Sequence, residues 1–325
     1  MHTKSVTIAF SAAVSLAAAD SYRTLYQGNG STTWLENLRV RSNGKVLTTV
    51  IGPPANLFSI DPTEENPEPV LISTFPSILG LSGITEVSHD VFYITGANTT
   101  GSNISDPPKN ATKVWRVDFN QGGSNSPKID LIAEPVLPLV TDFNGLTTFN
   151  ESIILASATF QDTVVAMDIN TGDYWTAFNN SEMSDINGIK AGSDGYLYWT
   201  ATSGAVRAPL YENLTLGTAE VLYSGSYDDL AVSYDGFKLA TNGTRYLYVA
   251  DNEDIIQQLV VDSTTGNVTS ATTAIESNNA TTVGKPTGCD FGRTAEQKNK
   301  IYCTTGGSLT SGSTLGGQLF EITLY

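Results

Sequence analysis

The chain has 325 residues, and its 17 Lys and Arg stand against 33 Asp and Glu, a formal net charge of -16. So acidic a balance excludes a surface built for nucleic acid, whose phosphates require clustered Lys and Arg. No stretch beyond the N-terminus is long and apolar enough to span a membrane, and two cysteines with two histidines cannot build a zinc cage.

Residues 1–19 read as a signal peptide. Lys4 gives a positive start, Val6 to Leu16 form a short apolar run, and Ala17-Ala18-Ala19 offer the small residues a signal peptidase needs before Asp20. Export to the secretory lumen or beyond is therefore expected. Glycosylation sequons at Asn29, Asn98, Asn103, Asn110, Asn150, Asn179, Asn213, Asn242, Asn267 and Asn279 agree with it. The remainder, 20–325, suits a single domain.

In chain order, short alternating runs recur in a common phase. After Tyr22-Arg23-Thr24-Leu25-Tyr26, Glu36-Asn37-Leu38 leads into Ser42-Asn43-Gly44 and then Leu57-Phe58-Ser59-Ile60-Asp61. Ser82-Gly83-Ile84 leads into Val91-Phe92-Tyr93 and Val114-Trp115-Arg116-Val117-Asp118. Asn144-Gly145-Leu146 leads into Ile153-Ile154-Leu155 and Val164-Val165-Ala166-Met167-Asp168. The fullest copy is Asp185-Ile186-Asn187-Gly188-Ile189, followed by Ser193-Asp194-Gly195, Tyr196-Leu197-Tyr198 and the outer run Glu220-Val221-Leu222-Tyr223. Asp228-Asp229-Leu230 continues through Tyr234-Asp235-Gly236 to Tyr246-Leu247-Tyr248-Val249, and Pro286-Thr287-Gly288-Cys289 continues to Ile301-Tyr302-Cys303.

Period-two alternation broken by Gly, Asn, Asp and Pro predicts short antiparallel strands. Six such units, repeating at roughly forty to fifty residues, predict an all-β, six-bladed β-propeller with four strands to a blade. The last unit ends at its third strand, Leu319-Phe320-Glu321-Ile322. Tyr22 to Tyr26, which resembles the outer strand Glu220 to Tyr223, is expected to supply the fourth and close the ring. Cys289 and Cys303 fall on adjacent strands of one hairpin, where a disulfide would close a loop of about fifteen residues. The Gly-, Ser- and Asn-rich stretches 98–108 and 308–317 are expected to be long loops, with a lid over one end of the ring as their functional reading.

The innermost strand of each propeller blade lines the central channel, so the residues at its start converge on the axis. Here they are Glu36, Ser82, Asn144, Asn187, Asp228 and Thr287. Two carboxylates and two carboxamides form an oxygen donor set suited to one hard divalent cation, Ca or Mg in preference to Zn. Without a cation, Glu36 and Asp228 repel and one takes up a proton. The same Asn-Gly and Asp-Asp dipeptides are also ordinary turn chemistry, and both readings stand. His89 falls in a predicted turn and is expected to be solvated. The chain has no phosphate loop and no Gly-Xaa-Ser-Xaa-Gly elbow, and no organic cofactor is expected.

Lys285-Pro286-Thr287-Gly288-Cys289-Asp290-Phe291-Gly292, followed by Ile301-Tyr302, is similar to the last blade of the senescence-marker-protein and gluconolactonase family of six-bladed propellers. Asn187-Gly188-Ile189 with Asp194-Gly195 is similar to its fourth. The resemblance implies a divalent cation held by Glu36, Asn187 and Asp228, with Asn144 nearby. In the lactonases it further implies Asp228 as general base while the metal polarises the lactone carbonyl. The chain departs from that pattern where Asn37-Leu38 replaces Gly-Pro after Glu36, and where Asp229 replaces Gly after Asp228. The run Glu36-Asn37-Leu38-Arg39-Val40-Arg41-Ser42-Asn43-Gly44 resembles instead a secreted fungal branch. That branch includes hetero-Diels-Alderases of tropolone sesquiterpenoid pathways, which join a quinone methide to a terpene olefin.

Three functions are therefore in view. The first expectation is a cyclisation or cycloaddition catalyst working by positioning and oxyanion stabilisation in the channel. Whichever reaction the site runs, Glu36 and Asp228 are its expected catalytic carboxyls, and Asn144, Ser82 and Thr287 its expected substrate contacts. The others are a divalent-metal-dependent lactonase and a non-catalytic extracellular binding propeller. The expected partner is a small hydrophobic or lactone-type molecule; the oligomeric state stays open.

Overall fold

The computed structural model describes residues 21–29, 33–136, 138–225, 227–232, 244–251, 255–262, 264–276, 284–310 and 313–324. The signal peptide expected at 1–19, the Tyr234-Asp235-Gly236 turn, and Asn242 and Asn279 lie outside the described residues. Six antiparallel sheets form the blades of a ring. Their inner strands are Trp34–Val40, Gly80–Ser88, Leu146–Thr148, Ile189–Ala191, Tyr227–Val232 and Pro286–Phe291, each followed outward by its second and third strands. The expected closure is present: Ser21–Gln27 pairs antiparallel with Gln318–Thr323, placing Tyr22 opposite Ile322 and Thr24 opposite Phe320. Both ends of the chain thus build blade 6. The stretch 308–317 differs from the expected loop, because Ser308–Thr310 pairs with Ser313–Leu315 as a small hairpin. Alternating Ser and Thr with Leu309 and Leu315 is sufficient for two short strands.

The apolar core lies between the blades, in six separate layers. Leu47 and Leu57 of blade 1 pack on Phe92, Ile94 and Trp115 of blade 2; Leu155 and Val164 of blade 3 pack on Leu197 and Trp199 of blade 4. The ring closes through Leu25, Tyr302 and Leu319 of blade 6 against Leu35, Leu38 and Val40 of blade 1. Alternate side chains of a strand feed the layers on its two sides, which explains strands that are apolar on both faces yet retain period two.

Cys289 and Cys303 are direct cross-strand neighbours joined by a disulfide. The crosslink spans a sequence separation of 14 and is worth about 3 kcal/mol by loop entropy. Reduction should lower the melting temperature by several degrees, measured by differential scanning calorimetry with and without a phosphine reductant. An unchanged transition would show that the bond contributes nothing.

Candidate active site

The start of four inner strands is gripped by a hydroxyl from the second strand of the preceding blade. Thr49 Oγ1 receives the amide of Asn37 at 3.0 Å and donates to the carbonyl of Ser82 at 2.7 Å. Thr200 Oγ1 receives the amide of Gly188 at 2.8 Å and donates to the carbonyl of Asp228 at 3.1 Å. Ser157 does the same between Gly145 and the carbonyl of Asn187, and Thr304 donates to the carbonyl of Glu36 at 2.9 Å. Four axial residues are therefore located by their neighbours. The glycines after Ser82 and Asn144 are crowded by the neighbouring blade: a Cβ at Gly83 would meet the Asn144 carbonyl at 2.6 Å, and one at Gly145 the Asn187 carbonyl at 2.9 Å. The recurrent Xaa-Gly step is an approach of backbone to backbone between blades.

The axial residues meet at one mouth of the channel. Glu36, Asn144, Asn187, Asp228 and Thr287, with Trp34 and Lys285, border a cavity of about 240 Å³. Ser82 borders an adjoining cavity of about 140 Å³ with Thr99, Asp142 and Phe160. Asn144, Asn187 and Ile104 belong to both. Ile104 comes from the 98–108 stretch, so that loop does lie over one end of the ring.

Ser82 and Thr287 reach the mouth with their hydroxyl protons committed. Ser82 Oγ donates to the Phe143 carbonyl at 2.5 Å and Thr287 Oγ1 to the Leu35 carbonyl at 2.6 Å. What they offer a ligand is lone pairs. His89 is exposed, with Nε2 3.0 Å from Ser42 Oγ.

Buried carboxyls dominate the electrostatics. Burial pushes Glu36 up to about 8, against the opposing hydrogen bond from the Trp34 indole at 2.5 Å, and repulsion from Asp228, Asp229 and Asp142 adds to the rise. Burial likewise lifts Asp142 to about 6, against the hydrogen bond from the Thr99 hydroxyl and the favourable field of the neighbouring Phe143 amide. Asp229 is raised by burial, against the attraction of Lys190, whose Nζ stands 3.6 Å away. It occupies the place that glycine takes in most blades, with its carboxylate against Gly188.

A divalent cation would relieve this repulsion. Among the described residues no three Asp, Glu, His or Cys side chains cluster closely enough to hold a metal alone. The carboxamide of Asn187 would have to complete a set with Glu36 and Asp228, all three at the larger cavity. Buried, mutually repelling oxygen donors of this kind fit a hard cation.

Among the rim residues that escaped the sequence reading are Trp34, Asp142 and Lys285. Each lies two positions before an axial residue, namely Glu36, Asn144 and Thr287. The period of a strand returns residues i and i−2 to one side, and this signal was available in the sequence. Of the asparagines in sequons, Asn29, Asn110, Asn150, Asn179, Asn213 and Asn267 are exposed. Asn98 and Asn103 are half-buried; Asn103 donates to the Asn98 carbonyl and accepts the Thr100 amide.

No protein-family model matches the chain. It is 25% identical over 312 residues to a Phoma sp protein provisionally named a hetero-Diels-Alderase, covering 84% of this chain and 83% of that one. It is 24% identical over 317 residues to a similarly named Sarocladium schorii protein, covering 84% of this chain and 75% of that one. Among solved structures, it superposes on a luciferin-regenerating enzyme with a TM-score of 0.64 at 12% identity, over 94% of this chain and 95% of that one. A streptogramin B lyase gives 0.57 at 12% identity, over 94% and 98%. The structural likeness carries the fold. The resemblance to hetero-Diels-Alderases read from the sequence recurs in the names of the two relatives.

Proposed function

We propose that the protein is a small-molecule enzyme that catalyses a hetero-Diels-Alder-type cyclisation at the channel mouth. The observation that carries this reading is the pair of adjoining cavities that share Asn144, Asn187 and Ile104, neighbouring seats for two reactants, with Lys285 at one and the apolar side chains of Ile51, Phe143 and Phe160 at the other. Two reactants held side by side gain rate from orientation alone, and a cycloaddition needs no covalent partner from the protein. The Lys285 ammonium and the carboxamides of Asn144 and Asn187 are the groups offered to an oxyanion developing on the heterodiene. The names of the two relatives support the same reading. We also place the protein in the secretory pathway, supported by its exposed sequons and its disulfide.

A metal-dependent lactonase is the second reading, favoured by the oxygen donors at the larger cavity. Glu36, Asn187 and Asp228 would hold the cation, which would supply Lewis acidity toward a carbonyl.

The test is an incubation of purified protein with a quinone methide released in situ and a cyclic terpene olefin. The expected product is one enantiomer of the dihydropyran adduct, formed faster than in boiled protein. A racemic adduct at the background rate would overturn the proposal.

A further inference from the structure

We infer that the smaller cavity binds an apolar ring that carries a hydrogen-bond donor, and that Asp142 recognises the donor. Ile51, Ile104, Phe143 and Phe160 supply apolar walls, and the volume of about 140 Å³ suits one small ring. Into this setting Asp142 brings a carboxyl whose two oxygens are treated differently. Oδ2 accepts the Thr99 hydroxyl at 2.5 Å. Oδ1 is shielded from solvent and has no hydrogen-bond partner among the described residues.

The segment that carries Asp142 cannot swing to find another partner. On one side Gln161 takes the Thr141 amide at 2.9 Å and donates to its hydroxyl at 2.7 Å, while Thr112 donates to its carbonyl at 2.9 Å. On the other side Ser82 holds the Phe143 carbonyl. A carboxyl that lines the cavity with one oxygen unmatched is completed when the ligand brings the donor. An alcohol, a phenol or an ammonium group has that chemistry.

The inference rests on the cyclisation reading only in making this ring one of the two reactants, and ring binding is measured without turnover. Benzyl alcohol, benzylamine and benzyl methyl ether are titrated into the full chain and followed by ligand-observed NMR. At least one donor-bearing probe should bind the wild type about tenfold more tightly than the ether, as one charge-assisted hydrogen bond requires. The tighter of the two identifies a hydroxyl or an ammonium ligand. Asp142→Leu should erase the preference. Asp142→Asn keeps the shape should the leucine variant fail to fold, and should remove any advantage of the amine. Equal affinities of all three probes for the wild type, or a preference unchanged in the folded Asp142 variants, overturns the inference and leaves the cyclisation assay untouched.

Discussion

Glu36→Gln is expected to raise the stability of the cation-free protein at pH 8 and to leave it nearly unchanged at pH 4. The carboxyl titrates at about 8 in the folded chain, against an ordinary value of 4.5, because it is buried beside other carboxylates. Between those values the native state retains a proton that the unfolded chain has released, so stability is full below the unfolded value and falls as pH rises toward the folded one. Glutamine stays neutral throughout and escapes that loss, a gain on the order of several kcal/mol at pH 8. Urea denaturation in EDTA from pH 4 to 9 measures it. Asp142 and Asp229 tilt the wild-type curve in the same direction, so the difference between the two proteins isolates Glu36. Saturating calcium should reverse the order at pH 8, since the cation stabilises the ionised carboxylate that glutamine lacks. Parallel curves in EDTA would show that Glu36 is not strained by its neighbours.

Much of this arrangement was legible in the chain because a propeller writes one structural unit six times. Phase alone located Glu36, Asn144, Asn187 and Asp228 at one mouth, and the incomplete last unit pointed to Tyr22–Tyr26 as its missing strand. Two things were not legible. The glycines after Ser82 and Asn144 read equally as turn residues, because the backbone that crowds them belongs to another blade. Asp142 looked like one acid among 33 Asp and Glu; only the fold sets Thr99 on one of its oxygens, leaves the other unmatched and holds the adjacent Thr141 through Gln161. Sequence phase reports which residues face the axis. It does not report which of their polar atoms are already satisfied.

Asp228→Asn separates the two enzymatic readings most sharply. If Asp228 were both cation ligand and general base for lactone hydrolysis, the amide would lose the base outright and weaken the metal site, a combined loss of roughly three orders of magnitude or more in turnover. A catalyst that works by holding two reactants in register asks no proton transfer of this residue. The expected result is therefore a cyclisation rate within about tenfold of wild type. The sensitive position on that reading is the apolar wall. Phe160→Ala, at the edge of the smaller cavity, should enlarge the space around the ring and lower the enantiomeric purity of the adduct while leaving product formation measurable. Gluconolactone and a small panel of aromatic lactones complete the experiment. Metal-dependent hydrolysis of any of them at ordinary enzymatic rates, abolished in Asp228→Asn, would make the protein a lactonase and the cyclisation reading wrong.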